Sequence, residues 1–453
     1  MTAMTLPSAL YSVAQVRAFD ARAIATQGVT AYELMERAGA AALRVLRLAW
    51  PSARRVAVAC GGGNNGGDGY VLARLLRAVG FEVQVHAAVD PSALRGDARR
   101  AFDDYLSAGG VLDSVLHPDP ARCDVIVDAL LGTGFRSPLR EPFASVCAVI
   151  NGSGRPVLAL DIPSGVDGDT GRATEGAIRA TRTLSFVALK QGLCLEQGPE
   201  FCGELLLDEL GVRLGAEGED LPQWHCLDDG DARAALPRRP RDAHKGLFGH
   251  VLVVGGNWGM PGAARLAGEA CLRVGAGLVT VATRPAHAAS LTLARPELMA
   301  AGVEEAAALR PWLDRCTVVA IGPGLGQDDW ARALLAEVLA AGKPSVIDAD
   351  ALNLLAAQGL GHLRAPSVLT PHPGEAARLL SIEPGMASGG MGDVLTGATA
   401  GVLAQCRDPW LAACAGVLIH ARAGDTLAQR YGARGLLAGD VAMALTVEAS
   451  RGE

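Results

Sequence analysis

RVAVACGGGNNGGDGYVLARLLRA, residues 55–78, carries the reading on which the fold turns. Its first six residues form a short apolar run with the length and composition of a buried strand, and apolar residues at helical spacing run through Ala78. Between them lies GGGNNGGDG, residues 61–69, read as a glycine loop. Strand, glycine loop and helix in that order make an anion site at the C-terminal edge of a parallel sheet. Glycine backbones let successive N–H groups face one anion, and the helix start adds its positive dipole end. The loop is not read as the dinucleotide-binding fingerprint, so an ordinary dinucleotide-binding oxidoreductase is not expected. Asn64, Asn65 and Asp68 place more polar side chains in the loop than turn formation alone requires.

The same pattern repeats outward. Apolar residues at helical spacing over 12–25 and 32–48 precede this strand, and further strands are expected at 81–89, 123–131, 157–161, 183–189 and 204–208. Asp128 ends one strand, ahead of a small-residue loop at 132–134; Asp161 ends the next and runs into DIPSGVDGDTG, which contains Ser164; Lys190 ends the strand after that. Turn capping explains any one of these groups, but together they load the edge at which doubly wound sheets bind ligands. The chain has three lysines, Lys190, Lys245 and Lys343, so Lys190 is either a solvated strand tip or a member of the site.

At 453 residues the chain exceeds one ordinary core, and its composition bounds the function. A net charge of -7 leaves no electrostatic footprint for nucleic acid or an anionic membrane. No apolar run is long enough to span a bilayer, and the first ten residues lack a basic, then apolar, leader; a cytoplasmic protein is expected. The 10 cysteines never fall in a C-x-x-C pair and mostly lie in apolar stretches, as buried free thiols do.

Residues 216–241 lose periodicity to charge, proline and glycine, and are expected to link domains at 1–215 and 242–453. A second α/β pattern then begins, with strands expected at 250–254, 277–283, 317–321, 345–348 and 367–370 and a helix at 262–274. The loops after these strands include GPGLG (322–326), DADALN (348–353) and TPHPGE (370–375). GMASGGMGDVLTG, residues 385–397, runs small residues directly into an apolar helix and reads as a phosphate cradle. Asp393 sits where loop becomes helix, either capping it or taking a proton from a substrate hydroxyl during phosphoryl transfer. His372 is a turn histidine or, beside Glu375, a substrate contact. The fold expected is α/β with two doubly wound α/β domains.

The ordered motifs of the first half, together with LKQG at 189–192, resemble the N-terminal domain of the NAD(P)HX repair proteins over nearly all of residues 11–210. The resemblance implies a Rossmann-like three-layer domain that interconverts the R and S forms of hydrated NAD(P)H around a bound potassium ion (K+). It implies Asp161 and Lys190 as catalytic groups and Asn65, Asp128 and Ser164 as potassium ligands. Asn64, Asn65, Gly66, Gly67, Asp68, Gly132, Thr133, Gly134, Phe135, Arg136, Ser137, Pro138 and Asp161 would line the substrate site. Residues 242–450 resemble the ribokinase-like ADP- or ATP-dependent NAD(P)HX dehydratases, which phosphorylate the hydroxyl of the S hydrate and then eliminate phosphate. That resemblance implies Asp393 as base, Gly389, Gly390 and Gly392 as anion hole, and Ala263, Gly324, His372 and Asp393 against the hydrate. ADP or ATP is the implied co-substrate, with Mg2+ as a candidate companion; the substrates are NADHX and NADPHX, and a homo-oligomer is implied. The alternatives are a hydroxymethylpyrimidine- or thiazole-type kinase fused to a non-catalytic ligand-binding domain, and a scaffold. The first leaves the N-terminal domain unexplained, and the second predicts loss of polar groups that are present.

The second half departs from its resemblance at one place. Relatives carry a helix, two or more strands and an LKGxGT-like turn between the PHPGE motif and the glycine loop, whereas here only SIEP separates Leu380 from Gly385. About forty to fifty residues are absent, the length of a strand-helix-strand insertion. The lysine that would face the nucleotide phosphates goes with them. An internal deletion and an omitted stretch both produce this pattern.

Overall fold

The computed structural model describes residues 6–113, 123–214, 221–222, 224–380, 391–432 and 436–451, and the chain divides into two compact units, Met1–Cys226 and Leu227–Glu453. The first contains β1 (Ala9–Leu10), α1 (Val13–Thr26), α2 (Ala31–Ala49), β2 (Arg55–Cys60), α3 (Asn64–Ala78), β3 (Glu82–Ala87), α4 (Gly96–Ser107), β4 (Val125–Ala129), β5 (Val157–Leu160), β6 (Arg182–Phe186), β7 (Glu204–Asp208) and β8 (Trp224–His225). Six of these strands form one parallel sheet in the order β3-β2-β4-β5-β6-β7, and β8 pairs antiparallel with β1. The order reverses between β2 and β4, which opens a crevice at their C-terminal ends. Capping boxes start the two helices that precede the sheet: Ser12 with Gln15 for α1, Thr30 with Glu33 for α2. The apolar face of α2, including Leu34, Met35, Ala38 and Ala42, then buries against α3 and the sheet.

The expected glycine loop is shorter than its sequence, because α3 already begins at Asn64 and takes NNGGDG into its first turns. The glycines answer to packing. A methyl group on Gly61 would lie 1.8 Å from the Leu130 carbonyl oxygen, one on Gly66 2.0 Å from that of Gly61, and one on Gly69 2.7 Å from the Ala129 methyl. These contacts let α3 sit directly on the ends of β2 and β4, and they outweigh the helix cost of glycine, about 1 kcal/mol each.

The second unit repeats the architecture with β9 (His250–Val254), β10 (Leu278–Thr283), β11 (Met299–Gly302), β12 (Val318–Ile321), β13 (Ser345–Ile347) and β14 (Ser367–Leu369). All are parallel, in the order β11-β10-β9-β12-β13-β14, and the switch point lies between β9 and β12. Gly256 N donates to Pro323 O (3.0 Å) and Asn257 N to Gly324 O (2.7 Å), joining the loops that leave those two strands. The helix Met391–Cys406 packs on the helix Pro261–Arg273, where Gly397 takes the place of a side chain whose Cβ would fall 2.1 Å from Ala267 O. β14 pairs with β13 alone, and among the described residues no strand covers its other side, in keeping with the shortened connection after it.

Two features differ from the sequence reading. β11 was not expected, since MAAG carries no strand pattern. The stretch 216–241 is partly ordered: it holds β8 and the helix Asp229–Ala235, and the two units meet within it, between Cys226 and Leu227. A capping box at Asp228, a fully buried Ala235 and an ion pair between Asp229 and Arg422 explain why that polar segment folds.

Gly66→Ala should destabilise the first unit by about 3 kcal/mol or more. Gly63→Ala, where nothing lies within 4 Å, should change it little. Denaturant unfolding of both variants tests the packing role, and equal midpoints would refute it.

Candidate functional site

A cavity of about 760 Å³ opens at the switch point of the first sheet, walled by α1, α2, the start of α3 and the loops after β4, β5 and β6. Lys190 sits at its base with 1% of its surface exposed; its ammonium is ion-paired with Asp161 and donates to Phe186 O (2.7 Å) and Ser185 Oγ (3.2 Å). Asp161 and Val187, at the ends of β5 and β6, hold left-handed backbone angles (φ 66° and 67°), a strain that non-glycine residues adopt rarely and that clusters at functional sites.

Two more carboxylates face this pair. Asp68, on α3, has its pKa raised well above the ordinary value by burial and by the charges of Asp161 and Asp20, against the pull of Lys190. Asp20, on α1, is pushed up to about 6, chiefly by burial, with Asp161 adding to the rise and Lys190 opposing it. One ammonium thus faces three acids, and burial together with the neighbouring carboxylates favours the protonated form of Asp68. Asp20 escaped the sequence reading because α1 reads there only as a packing helix. The same holds for Arg17, whose guanidinium reaches Thr133 Oγ1 at 3.4 Å.

Beside the cavity runs a chain of hydrogen bonds. Asn65 Nδ2 donates to Leu131 O (3.0 Å), Leu131 N to Ser164 Oγ (2.9 Å), and Ser164 Oγ to Asp128 Oδ1 (2.7 Å). Ser164 N and Leu130 N also donate to Asp128. Asp128 is fully buried, and desolvation pushes its pKa up to about 6 despite those donors; no cationic side chain figures among the causes. Asn65 Oδ1 is buried without a hydrogen-bond partner. Asn65, Asp128 and Ser164 therefore come together, with one orphaned acceptor and one uncompensated acid between them.

The remaining expected residues divide. Asn64, Asn65, Asp68, Gly132, Thr133, Gly134, Phe135 and Asp161 line the cavity. Gly66 and Gly67 pack against Gly61 and Met35 instead, Arg136 donates to Phe135 O, Ser137 lies against Thr174, and Pro138 is not part of the lining.

In the second unit Asp393 stands in the first turn of the helix Met391–Cys406, its pKa pushed up to about 6 by burial and by Asp348 and Asp350. Asp348, at the end of β13, is 3% exposed and bonded to Thr370 and Thr396; burial raises its pKa also. A methyl on Gly392 would lie 3.6 Å from Asp348 Oδ2, an ordinary contact distance, so the helix start stands beside this acid. Gly324 (φ 58°) abuts Met260 and Ala263, which brings two of the expected contacts together. His372 is exposed, with Nε2 3.0 Å from Glu375 Oε1 and Nδ1 accepting from Gly374 N. Gly389 and Gly390 lie outside the described residues. A cluster absent from the sequence reading occupies the switch point: Arg284, buried over the Trp330 ring, bonds Asn257 Oδ1 (2.9 Å) and Asp328 (3.2 Å). Among the described residues no group of three or more His, Cys, Asp or Glu side chains is placed to hold a metal ion.

Comparison with known proteins agrees with this two-unit reading. A family profile described as YjeF-related protein N-terminus matches residues 31–192, and one described as NAD(P)H-hydrate dehydratase matches residues 251–385 and 381–446, in two pieces that meet where the expected segment is absent. A Coxiella burnetii protein named bifunctional NAD(P)H-hydrate repair enzyme is 42% identical over 480 residues, covering 95% of this chain and 97% of its own. Its Escherichia coli namesake is 40% identical, covering 97% and 93%. The Bacillus subtilis ADP/ATP-dependent NAD(P)H-hydrate dehydratase, co-crystallised with ATP and Mg2+, is 27% identical over 49% of this chain and 96% of its own, with a TM-score of 0.43. No helix among the described residues is long and apolar enough to cross a membrane. With both profiles in order along one sequence and such identity over nearly its whole length, the chain belongs to the bifunctional NAD(P)H-hydrate repair enzymes.

Proposed function

We propose that the first unit epimerises hydrated NAD(P)H at the Lys190–Asp161 cavity and that the second, in the chain as it stands, is a weak nucleotide-dependent dehydratase. The single observation that carries the first half is one buried ammonium amid three carboxylates, of which Asp68 is driven toward its protonated form by burial and like charge. Inverting a hydroxyl-bearing carbon requires the C–O bond to break and to re-form on the other face. One group must give a proton to the leaving oxygen, and a carboxylate must take one back from the returning water. Asp68 is the donor, and Asp161, fixed by Lys190, steers the water and stabilises positive charge developing at the carbon.

The donor set beside the cavity fits a potassium ion. Asn65 Oδ1 lacks a partner and the Asp128 carboxylate lacks a countercharge, and a large monovalent cation takes oxygen donors of this kind. When bound it would neutralise Asp128 and hold the loops after β4 and β5 together. Magnesium finds no protein cage among the described residues of the second unit and would travel with nucleotide phosphates.

In the second unit Asp393 is placed to take the hydroxyl proton of the S hydrate as phosphate is transferred to it from ADP or ATP. The nucleotide-facing lysine expected from the resemblance has no counterpart here, since Lys245 and Lys343 lie elsewhere in the chain. An oligomer finds support in the large apolar side chains left exposed on the last two helices, among them Trp410, Tyr431 and Val447.

Asp68→Asn and Asp161→Asn should each slow R/S equilibration about 100-fold or more. Chromatography of the two epimers reads this, and parent rates in both variants would sink the assignment. Lys190→Ala is the less clean test, because removing a buried partner also destabilises the fold.

The ion makes a separate prediction. A carboxyl raised from 3.8 to about 6 favours the folded state below its unfolded pKa, and that contribution disappears as pH rises through 6, a loss of about 3 kcal/mol. Bound potassium should offset this. At pH 8, exchanging potassium for tetramethylammonium should lower the melting temperature of the parent but not of Asp128→Asn. An unchanged parent would count against the ion.

For the dehydratase, a chain of intact mass 46.6 kDa should restore reduced-nicotinamide absorbance from the S hydrate and ADP or ATP at well under 1 per second, about the lower end of ordinary turnover. Any residual rate should vanish in Asp393→Ala. Ordinary turnover at that mass would refute the claim that the absent segment carries the nucleotide site.

A further inference from the structure

Among the 10 cysteines, Cys60, Cys123, Cys147, Cys202, Cys271 and Cys316 are buried, as the sequence leads one to expect. Cys226 is exposed, and its thiol is hydrogen-bonded to that of Cys194, 32 positions earlier in the chain. The backbone explains the meeting. Tyr11 N donates to Leu189 O and Gln191 N donates to Tyr11 O, both at 2.9 Å, so the N-terminal strand lies along the segment that carries Lys190. The same strand pairs with β8, and Cys226 N donates to Ser8 O at 2.7 Å. Cys194 caps the turn Gln191–Leu193, with its N–H bonded to Gln191 O. Residues 8–11 therefore hold both cysteine-bearing segments within the first unit.

We propose that Cys194 and Cys226 form a redox-active dithiol which hydrogen peroxide converts to an intrachain disulfide, stapling the end of the first unit to the turn that begins at Lys190. The Cys226 thiolate attacks a peroxide oxygen; the O–O bond breaks, Cys226 becomes a sulfenic acid and hydroxide leaves. Cys194 sulfur then attacks Cys226 sulfur, the S–O bond breaks, and the second hydroxide leaves. The thiol protons convert both hydroxides to water, so two thiols and one peroxide give one disulfide and two waters.

The environment assigns the roles. The hydrogen bond from Cys194 lowers the Cys226 thiol and raises that of Cys194, so the exposed Cys226 is the nucleophile of the pair. Burial pushes the thiols of Cys60, Cys147 and Cys271 up, away from reaction. In a reducing compartment the pair stays a dithiol, and the staple forms only when peroxide outruns the reductants.

The test uses the full chain, reduced, freed of reductant, treated with one equivalent of peroxide and quenched by alkylation. Denatured thiols should fall by two from 10, a peptide linking Cys194 to Cys226 should be found, and dithiothreitol should restore both thiols. The oxidised first unit should melt a few degrees higher, roughly 2–8 °C, as expected for a cross-link that restricts the unfolded chain. Cys194→Ser should trap Cys226 as a sulfenic acid that reacts with dimedone, and Cys226→Ser should abolish thiol loss altogether. An unchanged thiol count, a linkage between other cysteines, or equal thiol loss in Cys226→Ser would each overturn the proposal.

Discussion

Lys190 keeps an ammonium almost wholly out of solvent, and the cavity of the first unit is arranged around the means of keeping it charged. Asp161 is bonded to it, a backbone carbonyl and a serine hydroxyl take its other protons, and β5 and β6 end in strained backbone at Asp161 and Val187. Such a buried pair adds little net stability, because desolvating two charges offsets much of their attraction. Its effect is on its neighbours. Asp20 and Asp68 stand beside it, and burial, with the charge of Asp161 adding and Lys190 opposing, drives both toward their neutral forms. A site in which one acid is ion-paired and its neighbours are pushed toward neutrality is suited to giving and taking a proton in turn.

The candidate site of the second unit also lies at the C-terminal edge of a parallel sheet, and its electrostatics are the reverse. Burial and the charges of Asp348 and Asp350 raise the proton affinity of Asp393, and no cationic side chain is among the causes acting on it. That suits a base awaiting a hydroxyl. It does not suit the phosphates of a nucleotide, which need positive charge or convergent N–H groups. Arg284 cannot supply it freely, since Asp328, Glu304 and Asn257 already hold its guanidinium. On the proposed reading, the four-residue connection between Leu380 and Gly385 and the one-sided edge of β14 among the described residues have a common consequence: a proton acceptor without the clamp it would work against.

What was legible in the sequence follows from what acts locally. Strands buried on both faces are continuous apolar runs, so all eleven strands expected coincide with observed ones, to within about two residues at every end but one, and the loaded edge follows from Asp128, Asp161 and Lys190 standing at strand ends. The start of α3 was not legible: GGGNNGGDG carries loop residues, and only tertiary contact at Gly61 and Gly66 shows that a helix there is favoured. Asp20 was invisible because its partners are more than a hundred residues away, and Cys226 because its partner is brought near by a two-residue strand that no periodicity announces. The folded segment Asp229–Ala235 shows the same limit, with an ion pair to Arg422 stabilising a stretch that reads as linker.

The hydrogen-bond chain from Asn65 to Asp128 explains how a buried acid outside the cavity can matter within it. Asp128 and Ser164 do not line the cavity, so on the proposed reading a cation there touches no substrate. It acts through Leu131 and Gly132, because Leu131 is bonded to both Asn65 and Ser164, and Gly132 is packed against Asn65 and lies near Asp161 Oδ2. Without positive charge the Asp128 carboxylate, which accepts from Ser164 N, Ser164 Oγ and Leu130 N, stays buried at an electrostatic cost. That cost would weaken the anchor of the loop after β4, and with it the placement of Asp161 relative to Asp68. On the proposed reading the ion would act on the geometry of the site through these residues.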